Sequence, residues 1–597
     1  MTKKNKVISL FFLLLTAAAA LGLIICQMGV WNMDLDVPMG FGGDYILDSM
    51  IVKSICEYGF RGLYFCYRLG APGISEMIDT PFFDVNLTSQ IWILSKFIHS
   101  HTKILYLIYF MTYPLSASTM YLLTGRFTKR YPLRMIAGVI YAAAPYHFFR
   151  TISHITLSNY FMVPIAVWLA LIIAEEPFKG IAPERFGKAK WKTVIMYMSC
   201  LLIGLSNIYY AFFGLFCMGV ALVYKGISTK KIIGLQREAL SLVTLLLGVL
   251  IGLMPKIIYT SQHGKNEVAG VRAYMSCEIY ALKVIQMILP PNFTRSSFLH
   301  KFIDHYASTA FNVNENCSSS LGAAAVAGFL LICVWVIYRL CAPGRTKSSE
   351  PVKRTDLLAL ITVAMVLYSS GGGFGAIIGY FVTPEIRCLT RCSIFIACMS
   401  ICVLLTAFEA ILDMKKEKGA LIRKGAVWAF TAAVTAMALF VDIPVSNKHW
   451  QDGMQQREVI ARNFFAEVEN TLTGNEMVYE LPYMPFPEVP PIENMPDYQP
   501  AVPYLYTDRL CWSYGAMKGR SEPTADLAGL PAGAELLTHL RERGFAGIYL
   551  DTAGYADQGT EAITALKDQL GTEPIVSADG AWYFFDIRGY SPDGGTE

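Results

Sequence analysis

The chain has 597 residues, of which 54% are hydrophobic and only 16% charged, with a formal net charge of +4. Soluble domains carry about 25% charged residues, and a mean hydropathy of +0.41 over this length is more than one globular core can absorb. A lone soluble enzyme, a nucleic-acid binder and a disordered chain are excluded, which leaves a multispanning membrane protein.

Charge divides the chain. Residues 446–597 hold 10 Lys+Arg and 23 Asp+Glu, a balance of −13, whereas residues 1–445 hold 40 and 23, a balance of +17. Such asymmetry predicts two parts in different environments: a transmembrane domain, 1–445, and an extracytoplasmic domain, 446–597.

Apolar runs approaching the ~20 residues that cross a bilayer centre on 7–29, 104–124, 133–149, 156–174, 192–205, 208–224, 239–259, 320–338, 356–371, 392–412 and 424–443. They predict about eleven transmembrane helices. The first follows Lys3, Lys4 and Lys6 as a signal peptide would, but the apolar run continues through Cys26 without a small-x-small site. It is expected to stay as a helix. Residues 1–6, 125–134, 175–192, 225–238, 339–354 and 413–424 carry 3, 4, 5, 4, 5 and 5 basic residues, against one in 147–155 and two in 371–391. The positive-inside rule places the basic set, and the N-terminus, in the cytoplasm. Eleven crossings then put two large loops, 30–103 and 260–319, and the acidic C-terminal domain outside.

The exported domain has soluble periodicity. Strands are expected at 477–481, 547–551 and 582–587, and helices at 533–543, ending at Gly544, and 560–570. This pattern reads as a small α/β domain. Of the 14 cysteines only Cys511 lies in it, so no disulfide framework is expected there; Cys56 and Cys66 of the first loop have the option of pairing.

Candidate chemistry gathers at the outer ends. The first loop contains Asp34 and Asp36, Gly42-Gly43-Asp44-Tyr45, Arg68-Leu69-Gly70-Ala71-Pro72, and Asp79-Thr80-Pro81 followed by Asp84. A carboxylate held at a membrane surface can act as general base or ligate a divalent cation; alternatively, such residues cap turns. On the same side lie Pro145-Tyr146-His147, Arg150 and His154, and then Arg387 and Arg391, four residues apart and so on one helical face if the helix of that span starts this early. Two guanidiniums entering a membrane are costly unless paired with anions. A lipid phosphate suits them, since Arg binds phosphate oxygens bidentately; snorkelling or an ion pair with Glu385 or a loop carboxylate would also serve. His300, Asp304 and His305 read as surface side chains rather than a metal site. Trp512-Ser513-Tyr514-Gly515 offers aromatic faces that suit a sugar ring, or ordinary core packing.

Taken together, Gly43-Asp44, Arg68-Leu69-Gly70-Ala71-Pro72, Asp79-Thr80-Pro81 with Asp84, Pro145-Tyr146-His147, Ile386-Arg387 with Arg391, and Trp512-Ser513-Tyr514-Gly515 resemble the GT-C superfamily of membrane glycosyltransferases. The chain is more closely similar to a bacterial group of large GT-C-like membrane proteins related in layout to the YfhO-type proteins. The resemblance implies a GT-C fold and sugar transfer, with inversion at the sugar carbon, from a polyprenyl-phosphate-linked donor on the outer membrane face. It implies a catalytic carboxylate at Asp44 and donor phosphate held near Arg387 and Arg391, with His147 and Arg150 beside them. Asp79, Asp84, Arg68, Trp512 and Tyr514 are then expected around a cell-envelope acceptor, whether glycan, lipid or protein. No metal ligands are assigned, although a divalent cation is compatible. Many GT-C enzymes have adjacent acidic residues where Asp44 is flanked by Gly43 and Tyr45, so Asp34 or Asp36 is an alternative base. Competing readings are a transporter or flippase of a lipid-linked precursor and a non-catalytic envelope assembly factor. Few charges lie inside the spans and no repeat relates the halves, which favours chemistry at the surface.

Overall fold

The computed structural model describes residues 3–80, 84–175, 190–230, 235–311, 314–342, 349–414, 419–446 and 450–591. The stretches 176–189, 231–234, 343–348 and 415–418, which carry part of the basic pattern, and Pro81-Phe82-Phe83 of the first loop lie outside the described residues.

Helices occupy the apolar runs. Among the described residues seven are long and apolar enough to cross a membrane: Lys4–Met28, Ile152–Ala174, Ile208–Thr229, Gln236–His263, Ala323–Cys341, Leu389–Leu412 and Leu421–Asp442. The other expected spans are also helical, but shorter or more polar: His101–Thr124, Tyr131–Ala142, Thr193–Gly204 and Glu350–Ser369. The run 133–149 is broken rather than continuous. Its helix stops at Ala142, and Pro145 opens a separate turn, Pro145–Arg150, behind an extended Ala144. Proline lacks an amide hydrogen and pushes the preceding residue out of the helical region.

Small residues let these helices meet closely, as membrane helices require. A Cβ on Gly204 would stand 2.2 Å from the Leu245 carbonyl oxygen, one on Gly248 2.5 Å from that of Leu201, and one on Gly328 2.1 Å from that of Ser400. The chain is a helical multispanning membrane protein whose polypeptide ends in an α/β region.

That region opens with a helix, Trp450–Thr471, which the sequence reading did not anticipate. A hairpin in the first loop provides β1 (Phe65–Cys66) and β2 (Ser75–Glu76). The main sheet contains β3 (Met477–Leu481), β4 (Cys511–Trp512), β5 (Phe545–Asp551), β6 (Ile575–Val576) and β7 (Trp582–Asp586), in the order β4-β3-β5-β7-β6. β3 is parallel to β4 and β5; β7 is antiparallel to β5 and β6. The two expected helices form as Ala534–Glu542 and Thr560–Leu570, and Gly544 has the positive φ of +83° that favours glycine at a helix end.

Alternation along the strands feeds two cores. Tyr479, Leu481, Ile548, Leu550 and Phe585 pack under the two domain helices. Val478, Tyr549, Trp582 and Phe584 face the other way, into a core shared with Ile46, Met50 and Leu69 of the first loop and with Tyr106 and Tyr109 of the second membrane helix. The first loop also extends the sheet edge: Gly70 N donates to Tyr514 O at 2.7 Å, Ala71 N to Trp512 O at 3.0 Å, and Trp512 N to Arg68 O at 2.9 Å. The acidic domain and the first loop are therefore one packed body.

Candidate functional site

The site begins where the chain turns back after the first membrane helix. Gly43 has φ +56° and its successor opens the helix α1 (Asp44–Tyr58), so a glycine is used where a side chain would be strained. Asp44 sits in the first turn of that helix, where the aligned peptide dipoles favour a carboxylate. Its Oδ2 lies 3.2 Å from His154 Nε2, and the two side chains are 53% and 33% exposed. One turn further on, Asp48 is buried and its Oδ2 accepts from Ile155 N at 3.3 Å. Burial pushes the Asp48 carboxyl well above its ordinary value against that hydrogen bond, and the charge of Asp44 adds to the rise. The loop that delivers His154 is bent at Thr151, a β-branched residue with φ +45°. Backbone held in this region by surrounding structure is a feature of functional sites.

Glu315, from the second large loop, lies next to this pair. Arg150 Nη2 donates to Glu315 Oε2 at 2.7 Å, and Thr390 Oγ1 donates to the same oxygen at 3.4 Å. Burial would raise the Glu315 carboxyl, but the guanidiniums of Arg150 and Arg391, with His154, hold it down at about 2. Arg391 differs from Arg150. It stands over the Tyr209 ring at 4.2 Å, makes no ion pair among the described residues, and its Nε is buried without a hydrogen-bond partner. Arg387 lies over Tyr280 at 5.6 Å. The far rim comes from the α/β region. Arg272 binds both oxygens of Glu488 at 2.7 and 2.8 Å. Burial raises the nearby Asp497 carboxyl to about 6, with the charges of Asp44 and Glu488 contributing.

Asp44, Arg150 and Arg391 thus fall into one neighbourhood, linked through His154 and Glu315. Other expected site residues are placed elsewhere, which corrects their assigned roles. His147 is fully buried, stacked on Tyr113 at 3.8 Å, with Nε2 on Thr112 Oγ1 and Nδ1 on Ala142 O, both at 2.8 Å. Both ring nitrogens are used in the core, leaving none for phosphate. Asp84 caps a helix, accepting from Leu87 N at 2.8 Å, and is 1% exposed. Asp79 and Arg520 form a buried pair at 2.9 Å that ties the first loop to the α/β region. Arg68 does the same through Glu57, at 2.5 Å, and Leu510 O. Trp512 is fully buried, donating to Thr507 Oγ1 at 2.9 Å, and Tyr514 packs edge-on against Phe486. These five hold the molecule together and offer no open face to an acceptor. Cys56 and Cys66 are both free thiols.

Three contributors escaped the sequence reading: Glu315, Tyr209 and Asp497. Each belongs to a segment far from Asp44, and no local motif marks it. His154 was visible in sequence as one polar residue following Arg150. Among the described residues no group of three or more His, Cys, Asp and Glu side chains is placed to hold a metal ion; Asp44 and His154 supply two ligand types side by side.

The fold and this cleft define a class: a multispanning membrane protein with an ionisable site where its long loops meet an α/β domain. A family model described as a domain of unknown function (DUF6311) matches residues 87–376, just under half of the chain. No curated protein matches it in sequence. Among solved structures it resembles the oligosaccharyltransferase of Archaeoglobus fulgidus in the apo form, at 12% identity and TM-score 0.47 over 98% of this chain and 75% of that one. It also resembles ArnT from Cupriavidus metallidurans in the apo state, at 10% identity and TM-score 0.47 over 96% and 98%. A third similar structure is A. fulgidus AglB in complex with an inhibitory peptide and a dolichol-phosphate, at 13% identity and TM-score 0.44 over 98% and 75%. At such scores these neighbours decide nothing about chemistry, which the chain's own residues must carry.

Proposed function

We propose that the protein is a membrane glycosyltransferase that moves a sugar from a polyprenyl-phosphate-linked donor to a cell-envelope glycan, lipid or protein at the outer membrane face. The observation that carries this reading is the Asp44–His154 pair at 3.2 Å, linked through Glu315 to Arg391, a half-buried guanidinium with a buried Nε and no ion-pair partner among the described residues. Nucleic acid has no part in it.

In this reading Asp44 takes the proton from an acceptor hydroxyl as its oxygen bonds to the sugar carbon. The bond from that carbon to the phosphate oxygen breaks, its electron pair leaves with the phosphate, and the configuration inverts. Arg391 and Arg387 stabilise the charge on the phosphate. Glu315 already neutralises Arg150, so Arg150 acts mainly to hold Glu315 and the loop in place. His154 orients the Asp44 carboxylate and can relay its proton outward. The same layout supports an orientation with the N-terminus in the cytoplasm and the α/β domain outside, as the basic loops predict.

The test compares cell-envelope glycans, by mass spectrometry, from cells carrying the wild-type chain, no chain, or Asp44→Asn. Loss of one glycan in both deficient strains supports the proposal. A glycan that persists in Asp44→Asn but vanishes without the chain points to transport or assembly instead.

A further inference from the structure

A cavity lies behind α1, on the helix face away from His154. It has a volume of about 380 Å³, within the range of about 300–1,000 Å³ seen for small-molecule sites. Tyr45, Ser49 and Lys53 form one wall. Residues 98–102 at the entrance to the second membrane helix form another, and Glu458, Arg462, Tyr506 and Asp508 of the α/β region close it. The transfer site described above uses none of these groups.

The charges of this cavity cancel in pairs. Lys53 meets Asp508 at 3.1 Å, Arg68 meets Glu57 at 2.5 Å, Arg462 meets Glu458 at 2.6 Å, and Lys103 meets Asp36 at 2.7 Å. Each carboxylate in the lining is bound to a cation, so the cavity selects neither an anion nor a cation. It nevertheless remains strongly polar. Carboxylates fixed in this way keep lone pairs for hydroxyl donors, and Arg462 brings donors alongside, while Lys53 spends its three on Leu505 O, Thr507 O and Asp508 Oδ1. Ser49 lies fully buried behind Tyr45 in the wall that α1 contributes. Tyr45, Tyr506 and Phe41 add apolar ring surface to the same walls. Balanced charge, dense hydrogen-bonding groups and ring faces in a small volume suit a neutral polyhydroxylated ring.

We infer that this cavity binds an uncharged sugar unit, separately from the Asp44 site. The occupant is a neutral monosaccharide ring, free or as part of a glycan that the protein grips away from its reacting end. The inference does not depend on transferase activity, and its test needs none.

Full-length protein in detergent is titrated with the methyl β-glycosides of glucose, galactose and N-acetylglucosamine, and with glucuronate and glucosamine as charged controls. Binding is read by calorimetry and by shielding of a maleimide label at His99→Cys, which places a thiol on the exposed rim. At least one neutral glycoside is expected to bind and slow the labelling at least threefold, with the charged analogues at least tenfold weaker. Ser49→Leu, whose added bulk pushes the α1 wall into the cavity, should abolish both signals, and Arg462→Met, which removes donors from the lining, should weaken them. Asp44→Asn should leave both unchanged. The inference is overturned if no neutral glycoside binds or shields His99→Cys, if a charged analogue binds as well as the neutral sugars, or if a well-folded Ser49→Leu protein binds like wild type. Should Ser49→Leu fail to fold, the shielding of His99→Cys in otherwise wild-type protein decides the matter alone.

Discussion

Asp44 Oδ2 and His154 Nε2 lie 3.2 Å apart, joining the first turn after one membrane helix to the short bend that follows another. This contact brings a carboxylate from the first long loop beside the Arg150–Glu315 pair, and through it towards Arg391. A base needs a partner that fixes its orientation and a route for the proton it gains; the imidazole meets both needs.

Replacing that carboxylate tests the role directly. Asp44→Asn keeps the size and the helix start but cannot accept a proton, and a positioned base contributes about 10²–10⁴-fold. Turnover is expected to fall by that order while binding of the lipid-phosphate donor persists. Asp34→Asn is the control, because Asp34 Oδ1 accepts from Asp36 N at 2.9 Å within its own turn. Full activity in Asp44→Asn with loss in Asp34→Asn would move the base.

Arg391 gives the second test. Arg391→Lys preserves the charge but removes the planar fork and its stacking on Tyr209. A hydrogen bond to a charged group contributes about 1.5–3 kcal/mol, so the apparent KM for the donor should rise roughly ten- to hundredfold. Arg387→Lys should have the smaller effect, since that side chain is held only over the Tyr280 ring. Unchanged KM in Arg391→Lys with a lower melting temperature would make Arg391 structural.

The distribution of what sequence could and could not reveal has a physical basis. Membrane helices are written locally, as apolar length and basic flanks, and the expected runs are indeed helical. The break at Pro145 is local too, but the apolar periodicity of 133–149 masked it. Strands 477–481 and 582–587 and the helix 560–570 follow from alternation and caps. The site is different. Asp44 and Arg391 stand out because charge at a membrane boundary is costly, whereas Glu315 and Asp497 are ordinary polar residues until the fold brings them near. Arg68, Asp79 and Trp512 were misread for the opposite reason. Polar and aromatic residues in an outer loop look like a ligand surface, yet here they cement that loop to the α/β region.

Asp84 offers a pH test. Burial raises its carboxyl from 3.8 to about 7, against hydrogen bonds from the Leu87, Asn207 and Asn86 amides, and its Oδ2 has no hydrogen-bond partner. The folded protein therefore binds a proton that the unfolded chain releases near pH 4. Because the native state holds more protons in this window, stability from this group is complete below about pH 4 and declines as pH rises through 7. Asp84→Asn retains the helix cap and removes the titration. Its advantage over wild type in thermal unfolding should therefore grow between pH 5 and 8. A difference that stays flat with pH would show that Asp84 is ionised in the fold throughout.

The last prediction concerns the α/β region on its own. Its charge balance and complete set of strands suggest a separable domain, but its own helices cover one sheet face fully and the other only in part. The face with Val478, Tyr549, Trp582 and Phe584 packs on Phe464 and Phe465 of the helix Trp450–Thr471, and the rest of it is buried against the first loop and the second membrane helix. Cutting the chain before residue 450 would keep that helix but bare the part of the face that the first loop and the membrane helix cover. It would also remove the backbone bonds from Gly70 and Ala71 to the sheet edge and the bond from Arg68 to Leu510 O. Lys53, which donates to Leu505 O at 3.1 Å and Thr507 O at 2.8 Å, would be lost as well. An exposed apolar face beside an unpaired sheet edge favours association. Residues 450–591 expressed alone should therefore bind hydrophobic dyes, self-associate and unfold without a sharp transition. Supplying residues 30–100 in the same polypeptide should reduce dye binding, and Arg68→Ala in that longer form should weaken the rescue. A monomeric 450–591 fragment that unfolds cooperatively would show that the sheet and its own helices, Trp450–Thr471, Ala534–Glu542 and Thr560–Leu570, suffice for folding, and that the first loop docks on a finished domain.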